Sequence, residues 1–399
     1  MKPYFNKIWL LTLLILPTMI YSQKRELQVG DTTYYKTLIP EAKQGLLKNV
    51  SMIANMRFGL RNEFYDGEFA KTRFTMEQFR MEFRGQVHEK VYFRFRNRYT
   101  KTPTTQSIDN IFGSVDLAYI RVTLSDKWSL SAGKMCADWG GYEFDYNPID
   151  IYEYADIVEM ADNFLSGVQV SYQAFQNHSF TFQVLDSRTK SFEELYGDQP
   201  GMEESKMPLA LVGNWRGSFF GGKFNTIWSY ALHTEAEDIF MNYIALGNQL
   251  KLGKFTVEYD YKLSMEDLDR TGIITTTVND TLYPYALKEC LYSEHWLHLY
   301  YRINPKFNIA FIAMLDFASW KNADKDPEHA DYDSDAIRTA WGFIPTFEYY
   351  PFKDLNLRFY ANWVGRMYYY SDYANERLGA EDYTTGRFTV GFVSPLAIF

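Results

Sequence analysis

The stretch that decides the fold is Val91-Tyr-Phe-Arg-Phe-Arg-Asn-Arg-Tyr99. In an extended strand, successive side chains point to opposite faces. One face of this segment would carry Val91, Phe93, Phe95 and Tyr99, and the other would carry Tyr92 and the arginines at positions 94, 96 and 98. A strand with one apolar and one strongly polar face is therefore predicted here.

The same alternation recurs along most of the chain, from residue 50 to the C-terminus. Apolar and aromatic residues alternate with polar ones in segments 79–84, 255–263, 307–316 and 355–363. No apolar run after the N-terminus approaches the roughly 20 residues that a membrane-spanning helix requires. The sequence therefore predicts an all-β protein.

Two kinds of connection alternate between the predicted strands. Short turns are predicted near residues 88–89, 125–127, 176–177, 221–222, 253, 304–305 and 353–354. Longer polar loops are predicted near residues 66–71, 101–110, 135–165, 188–206, 235–238, 266–288, 321–335 and 371–383. Together they join about 16 strands, with both termini on the side of the short turns. Pro395 interrupts the alternation of the last strand, and we expect a β-bulge there.

A soluble β-sandwich also alternates, but the composition favours a transmembrane antiparallel β-barrel. Aromatic residues make up 18% of the chain, which suits two girdles at the membrane interfaces. The polar faces carry closely spaced arginines, as expected on a water-filled lumen. The chain also ends on Phe399 after an alternating strand. A soluble secreted protein that stacks sugars on its aromatic residues remains an alternative.

Charge and cysteine content exclude several classes of function. The formal net charge is −9 and no basic run occurs, so nucleic acid is not expected as the main partner. Two cysteines, Cys136 and Cys290, rule out a disulfide scaffold and a cysteine-based zinc cluster. Their spacing matches no motif, so they are either free or paired.

The N-terminus has the pattern of an export signal. Lys2 and Lys7 precede an apolar run that ends before Pro17, which is typical of a signal peptide. We predict a signal peptide over residues 1–22, a periplasmic extension over 23–48 and the barrel over 49–399. These features predict an outer-membrane protein of a Gram-negative bacterium, in contact with outer-membrane lipids and lipopolysaccharide.

The segment Gly133-Lys-Met-Cys-Ala-Asp-Trp-Gly-Gly-Tyr-Glu-Phe-Asp-Tyr-Asn-Pro-Ile-Asp-Ile-Tyr-Glu-Tyr154 resembles the phosphate-selective porin O and P family, in its Bacteroidetes form. Asp162-Asn163-Phe164 and the hairpin over 83–99 add to the resemblance, which covers about residues 50–399. It implies a homotrimer of 16-stranded barrels, each with a long third loop (135–165) folded into the lumen. The family name implies phosphate as the solute.

A row of basic side chains is predicted on one wall of the pore. The first three strands would turn seven arginines inward, with only Glu63 and Glu82 as acidic partners on the same faces. These arginines are Arg57, Arg61, Arg80, Arg84, Arg94, Arg96 and Arg98. Arginines on a pore wall favour anions. Alternatively, they pair with lumen carboxylates and serve only to tie a loop to the wall.

The third loop has the opposite charge, because it contains no Lys or Arg between Lys134 and Arg188. The acids expected at the constriction are Asp138, Glu143, Asp145, Asp150, Glu153 and Asp156. If the loop folds inward, these carboxylates would oppose the arginine row and create a transverse field. Alternatively, the loop is exposed and its acids are solvated.

No strong catalytic or metal-binding motif is present, and no cofactor is expected. His295 and His298 would lie on opposite faces of a strand, which argues against a shared metal ion. Asp331, Asp333 and Asp335 resemble the start of a calcium loop, but the turn glycine is missing. Glu294 with His298 is the best catalytic pair that the sequence offers for a barrel enzyme.

These observations predict a non-enzymatic porin that lets small hydrophilic or anionic solutes diffuse across the outer membrane. Opposed charges would pass small ions of both signs, so we expect weak selectivity, with an anion preference left open. A channel selective for phosphate or polyphosphate is the alternative, and a barrel enzyme is a more distant one.

Overall fold

Sixteen antiparallel strands each pair with their neighbours in sequence, and the first strand pairs with the last to close a barrel. This computed structural model describes residues 49–100, 107–279, 285–321 and 335–399. The predicted signal peptide and the extension over 23–48 lie outside these ranges. The prediction of a 16-stranded antiparallel barrel is confirmed.

The strands are β1 (Val50–Tyr65), β2 (Glu68–His88), β3 (Val91–Arg98), β4 (Val115–Thr123), β5 (Trp128–Cys136), β6 (Phe164–Phe175), β7 (His178–Asp186), β8 (Leu209–Phe219), β9 (Phe224–Ala236), β10 (Ile239–Leu252), β11 (Phe255–Leu268), β12 (Lys288–Asn304), β13 (Phe307–Trp320), β14 (Ala336–Tyr349), β15 (Arg358–Tyr370) and β16 (Tyr383–Ala397). The helices are α1 (Tyr142–Asp145), α2 (Asp156–Met160), α3 (Phe192–Tyr196), α4 (Ile273–Asn279) and α5 (Asp372–Leu378). None of these helices in the described ranges is long and apolar enough to cross a membrane.

The two faces of the strands differ as the alternation predicts. On β11, Glu258, Asp260 and Lys262 point into the barrel and are buried, whereas Tyr259 and Met265 lie outside and are 38% exposed. Apolar residues on the outer surface meet the hydrocarbon of a membrane, and polar residues inside are kept from it. The lumen side of each strand can therefore carry charges that the outer side cannot.

Most of the predicted connections are confirmed, including all seven short turns. Two predicted long loops are wrong. β1 and β2 are joined by Asp66-Gly67, and β9 and β10 by Glu237-Asp238. Asp66, Gly67 and Asp238 adopt positive φ angles of 48°, 81° and 57°. This backbone conformation allows a two-residue hairpin, so the polar residues around both turns continue the strands.

The expected bulge at Pro395 is also wrong. The β1–β16 ladder runs without a register shift from Ile53↔Ala397 to Tyr65↔Thr385, and Pro395 pairs with Asn55. On its other side, β15 begins to pair only at Arg358↔Val393. Pro395 therefore lies beyond the end of β15, where its missing N–H interrupts no ladder.

Candidate pore and its charged lining

The connection between β5 and β6, residues 137–163, crosses the barrel interior, and we call it loop three. Arg57 of β1 donates hydrogen bonds to the carbonyl oxygens of Ile149, at 3.2 Å, and Ile151. Arg358 of β15 donates to Asp150 at 2.6 Å. β1 and β15 are four and six strands away from β5 around the barrel, so loop three extends far into the lumen.

Each of the six predicted loop acids forms an ion pair with a basic residue of the wall. The pairs are Asp138–Arg216 (2.8 Å), Glu143–Lys262, Asp145–Arg216 (2.9 Å), Asp150–Arg358 (2.6 Å), Glu153–Arg387 (3.0 Å) and Asp156–Arg366 (2.8 Å). The basic partners belong to β8, β11, β15 and β16. This arrangement differs from the predicted opposed rows, because these acids are bound to a second set of cations rather than to the arginines of β1–β3.

The firmest attachment of loop three surrounds Lys262. Its ammonium group contacts the carboxylates of Glu143 on the loop and Glu294 on β12, and all three side chains are fully buried. Two residues before Lys262 on β11, Asp260 accepts hydrogen bonds from the backbone N–H groups of Tyr142 (2.9 Å) and Glu143 (2.8 Å). The first turn of α1 is therefore fixed to β11 through both backbone and side chain.

The seven predicted arginines all lie on the lumen side of β1–β3, but they have more acidic partners than the sequence suggests. Glu63 and Glu82 pair with neighbouring arginines as expected. Glu77 of β2 contacts Arg57 at 2.8 Å. Asp116 of β4 contacts three arginines, and these are Arg80 (3.0 Å), Arg96 (3.3 Å) and Arg98 (3.0 Å). Among the described residues, the seven arginines thus form ion pairs with four carboxylates.

Both unexpected carboxylates lie at β-bulges. Arg57 pairs with Gln78 and the next residue of β1 pairs with Met76, so Glu77 is the extra residue of β2. Across the β3–β4 ladder, the partners step from Leu117 to Val115, so Asp116 is the extra residue of β4. Strict alternation would place both acids on the outer face. A bulge re-aims a side chain, and here it turns each carboxylate to the arginines inside.

A cavity of about 430 Å³ separates the arginine wall from loop three. The wall contributes Arg80, Arg94, Arg96, Arg98, Arg121 and Lys134 to its lining. The loop side contributes Asp138 and Asp145, which remain paired with Arg216. The other four predicted loop acids bind cations of β11, β15 and β16. The cavity therefore lies between loop three and the wall formed by β2–β5.

Glu159 of α2 is a further acid in this cavity, and no ion-pair partner is found for it among the described residues. Its side chain is exposed toward the cavity. The surrounding protein still limits its contact with bulk water and so raises the pKa of the Glu159 carboxyl, and the nearby Glu153 carboxylate raises it further. The charge of the passage therefore changes as Glu159 takes up a proton.

Sequence reasoning missed the cations that hold loop three. Arg216, Lys262, Arg358, Arg366 and Arg387 are isolated in the sequence and form no row. The available signal was their position on the polar face of alternating strands. Their partners lie far away in sequence, up to 234 residues apart for Glu153 and Arg387, so periodicity could not identify them.

The candidate catalytic and metal-binding residues are not brought together. His295 and His298 occupy opposite faces, because His295 contacts Tyr259 at 2.7 Å outside and His298 contacts Glu258 at 2.9 Å inside. Glu294 binds Lys262 and not His298. Asp331 and Asp333 lie outside the described residues, and no potential metal-binding cluster occurs within them. Cys136 and Cys290 are free thiols.

Solved structures with a similar architecture include an outer-membrane channel. The channel DcaP of Acinetobacter baumannii superposes with a TM-score of 0.59 at 11% identity, covering 86% of this chain and 96% of that one. Salmonella typhi OmpF, solved with daunomycin, gives 0.53 at 11% identity, covering 86% and 98%. The trimer form of OmpT from Vibrio cholerae gives 0.51 at 10% identity, covering 86% and 98%. At these identities the likeness supports the fold alone.

The sequence itself carries the family relationship. Among curated proteins, none matches this chain. The model of the family "Phosphate-selective porin O and P" matches residues 54–392, which is nearly the whole barrel. A closed 16-stranded barrel with a charged internal passage is the structure expected of such a protein. The chain therefore belongs to the phosphate-selective porin O and P family and is an outer-membrane porin.

Proposed function

We propose that this porin is a general diffusion channel for small hydrophilic solutes, with a weak preference for anions. The observation that carries this proposal is the lining of the cavity. Guanidinium groups of Arg94, Arg96 and Arg98 face the passage, whereas the carboxylates that compensate them, Glu82 and Asp116, are nearly inaccessible, with side chains 4% and 0% exposed. A passing ion thus meets more positive than negative charge on this wall.

The same ion pairs favour weak over strict selectivity. Arg80 and Arg96 are 2% and 5% exposed and already contact Asp116. Arg94 donates two hydrogen bonds to Glu82, at 3.0 and 3.2 Å. A guanidinium that is engaged in this way has fewer donors left for a second anion. A phosphate-selective channel remains the alternative, and phosphate titration distinguishes the two.

The test is the reversal potential of the purified protein in a planar bilayer under a KCl gradient, followed by addition of phosphate. We expect a modest anion preference and little block by phosphate. Strong block at low phosphate would establish the selective alternative, and preference for cations would refute the anion preference. Absence of conductance from a folded barrel would contradict the channel itself.

A double substitution tests the wall directly. Arg94→Ala with Arg96→Ala should shift the ion preference toward cations, because two positive charges leave the passage. Lys190→Ala with Lys206→Ala removes the same charge from the exposed outer loop between β7 and β8 and is the matched control. An unchanged permeability ratio in the arginine variant would contradict the role given to this wall.

We further propose an exported homotrimer in the outer membrane of a Gram-negative bacterium, with residues 1–22 removed as a signal peptide. The trimer and the Bacteroidetes form are supported by the family resemblance, and lipids and lipopolysaccharide would surround the apolar outer face. We also propose that the protein is not an enzyme, since His298 is engaged by Glu258 and Tyr146. Cross-linking of the mature protein in native membranes, followed by gel migration with and without heating, tests the trimer.

A further inference from the structure

We propose that Asp116, through the β-bulge that turns it inward, sets the ion preference of the pore by neutralising part of the arginine wall. Asp116 is not among the cavity-lining residues, so it affects solutes without touching them, through its charge and the guanidinium groups that it holds. It is a positioning residue in this sense. The inference deepens the proposed function and rests on it for the location of the ion path.

The geometry places one carboxylate beneath three guanidinium groups. Its Oδ2 atom lies 3.0 Å from Nε of Arg80 and 3.3 Å from Nε of Arg96, and its Oδ1 atom lies 3.0 Å from Nη2 of Arg98. The carboxylate itself has no exposed surface. One negative charge therefore compensates three positive charges, which leaves an excess of positive charge on the surface of the passage.

A β-bulge in β4 turns the Asp116 side chain toward the lumen. Leu117 pairs with Arg96 and Tyr119 pairs with Arg94, so the odd-numbered residues of β4 share the lumen side with these arginines. Asp116 would follow the opposite parity if the strand were regular. The bulge rotates it inward, and bulges next to functional sites commonly re-aim a side chain in this way. An ionised aspartate facing lipid would raise the free energy of the folded barrel. The bulge avoids this cost because it turns the carboxylate inward.

Several N–H groups around Asp116 remain without a hydrogen-bond partner. These are Nη1 of Arg80, Nε of Arg96 and Nε of Arg98. A single carboxylate has too few acceptor positions with good geometry for three guanidinium groups. These N–H groups are buried, so they do not bind solutes, but they show that Asp116 compensates the three guanidinium groups only in part.

The substitution that tests the proposal is Asp116→Asn, which keeps size and polarity and removes the charge. Removing one elementary charge at ~6 Å from a water-filled path should favour chloride and disfavour potassium by about threefold each, from Coulomb's law in water. The chloride-to-potassium permeability ratio should therefore rise about tenfold at low salt, and less at high salt because of screening. Asp116→Glu retains the charge and should retain the wild-type ratio. Asp335→Asn removes a carboxylate that pairs with Lys321 at the outer surface, and it serves as the matched control.

A second background keeps the test decisive if Asp116→Asn does not fold. Arg96→Gln alone should lower the anion preference, and Arg96→Gln with Asp116→Asn should bring it back up, because one charge of each sign is removed. A ratio that stays at the wild-type value in folded Asp116→Asn, or that moves toward cations, overturns the proposal. So does a double variant that matches Arg96→Gln alone.

The outcomes also separate this inference from the proposed function. A wild-type channel that prefers cations contradicts the proposed anion preference, yet a shift toward anions in Asp116→Asn would still support the role of Asp116. Conversely, an anion-preferring wild type with no shift in Asp116→Asn leaves the channel function intact and removes Asp116 from it.

Discussion

Lys262 offers the sharpest test of how loop three is held, because one substitution leaves two buried carboxylates without their cation. We expect Lys262→Met to free the loop. The methionine fills a similar volume but cannot compensate Glu143 and Glu294, which are both fully buried. Repulsion between these two carboxylates is relieved by movement of Glu143, since it lies on the loop and Glu294 lies on a strand.

The magnitude follows from the cost of an unpaired buried charge. Removing one partner of a buried ion pair typically costs about 3–5 kcal/mol, which corresponds to a change of about 10² to 4 × 10³ in an equilibrium constant. The free energy of the state in which the first half of loop three is attached to the wall should rise by this amount relative to detached states. The strand ladder is untouched, so the barrel itself should remain folded.

The assay is single-channel recording, with heat-modifiable gel migration as the check for a folded barrel. Lys262→Met should show a larger mean conductance and more current noise than the wild type. Lys321→Met is the matched control, because Lys321 forms an exposed ion pair with Asp335 at 2.9 Å. Exposed pairs contribute about 0–1 kcal/mol, so this variant should conduct like the wild type.

A second variant shows whether unpaired charge is the cause. Lys262→Met with Glu143→Gln leaves a single carboxylate at the site and should bring the noise back toward the wild-type level. If Lys262→Met conducts without added noise or conductance, while its barrel migrates as folded, the assignment of Lys262 as the main attachment of loop three is refuted.

Three other predictions concern the same passage. Gly141→Ala should increase current noise, because a Cβ there would lie 2.4 Å from a strand carboxylate oxygen, whereas Gly213→Ala, with nothing within 4 Å, should have no effect. Lowering the pH should increase the anion preference, because the raised pKa of Glu159 lets it lose its negative charge at a higher pH than an ordinary glutamate; Glu159→Gln should weaken this response, and an identical response would contradict it. A small thiol reagent should leave the conductance unchanged, because Cys290 is buried and the enclosed thiol of Cys136 is a poor nucleophile; a block that Cys136→Ser abolishes would contradict this.

The sequence was sufficient to predict the barrel because its evidence is local. Alternation assigned Arg57, Arg80 and Arg96 to the inner faces of their strands, and the structure has all three inside. Turn residues likewise marked the ends of the strands. The two hairpins at Asp66 and Asp238 escaped prediction because a polar stretch can continue a strand beyond the membrane as readily as it can form a loop.

The pairing of charges could not be predicted because it is not local. Glu77 and Asp116 reach the lumen through bulges, and a bulge is defined by the pairing of two strands, which the alternation along one strand does not specify. The partners of the loop acids depend on where loop three lies inside the closed barrel. The net charge of −9 is equally uninformative about the pore, because most of the acids of loop three are bound to cations of the wall.

The alternation of faces also bears on how such a gene can change. Codons for every second residue of a strand encode contact with lipid, and the intervening codons encode the passage. Point mutations at lumen positions can thus alter the range of solutes while the surface required for membrane insertion stays the same. Insertion or loss of a single codon is different, because it exchanges the two faces beyond that point. The bulges at Glu77 and Asp116 each contain one such extra residue, and in both cases its carboxylate pairs with arginines of the lumen wall.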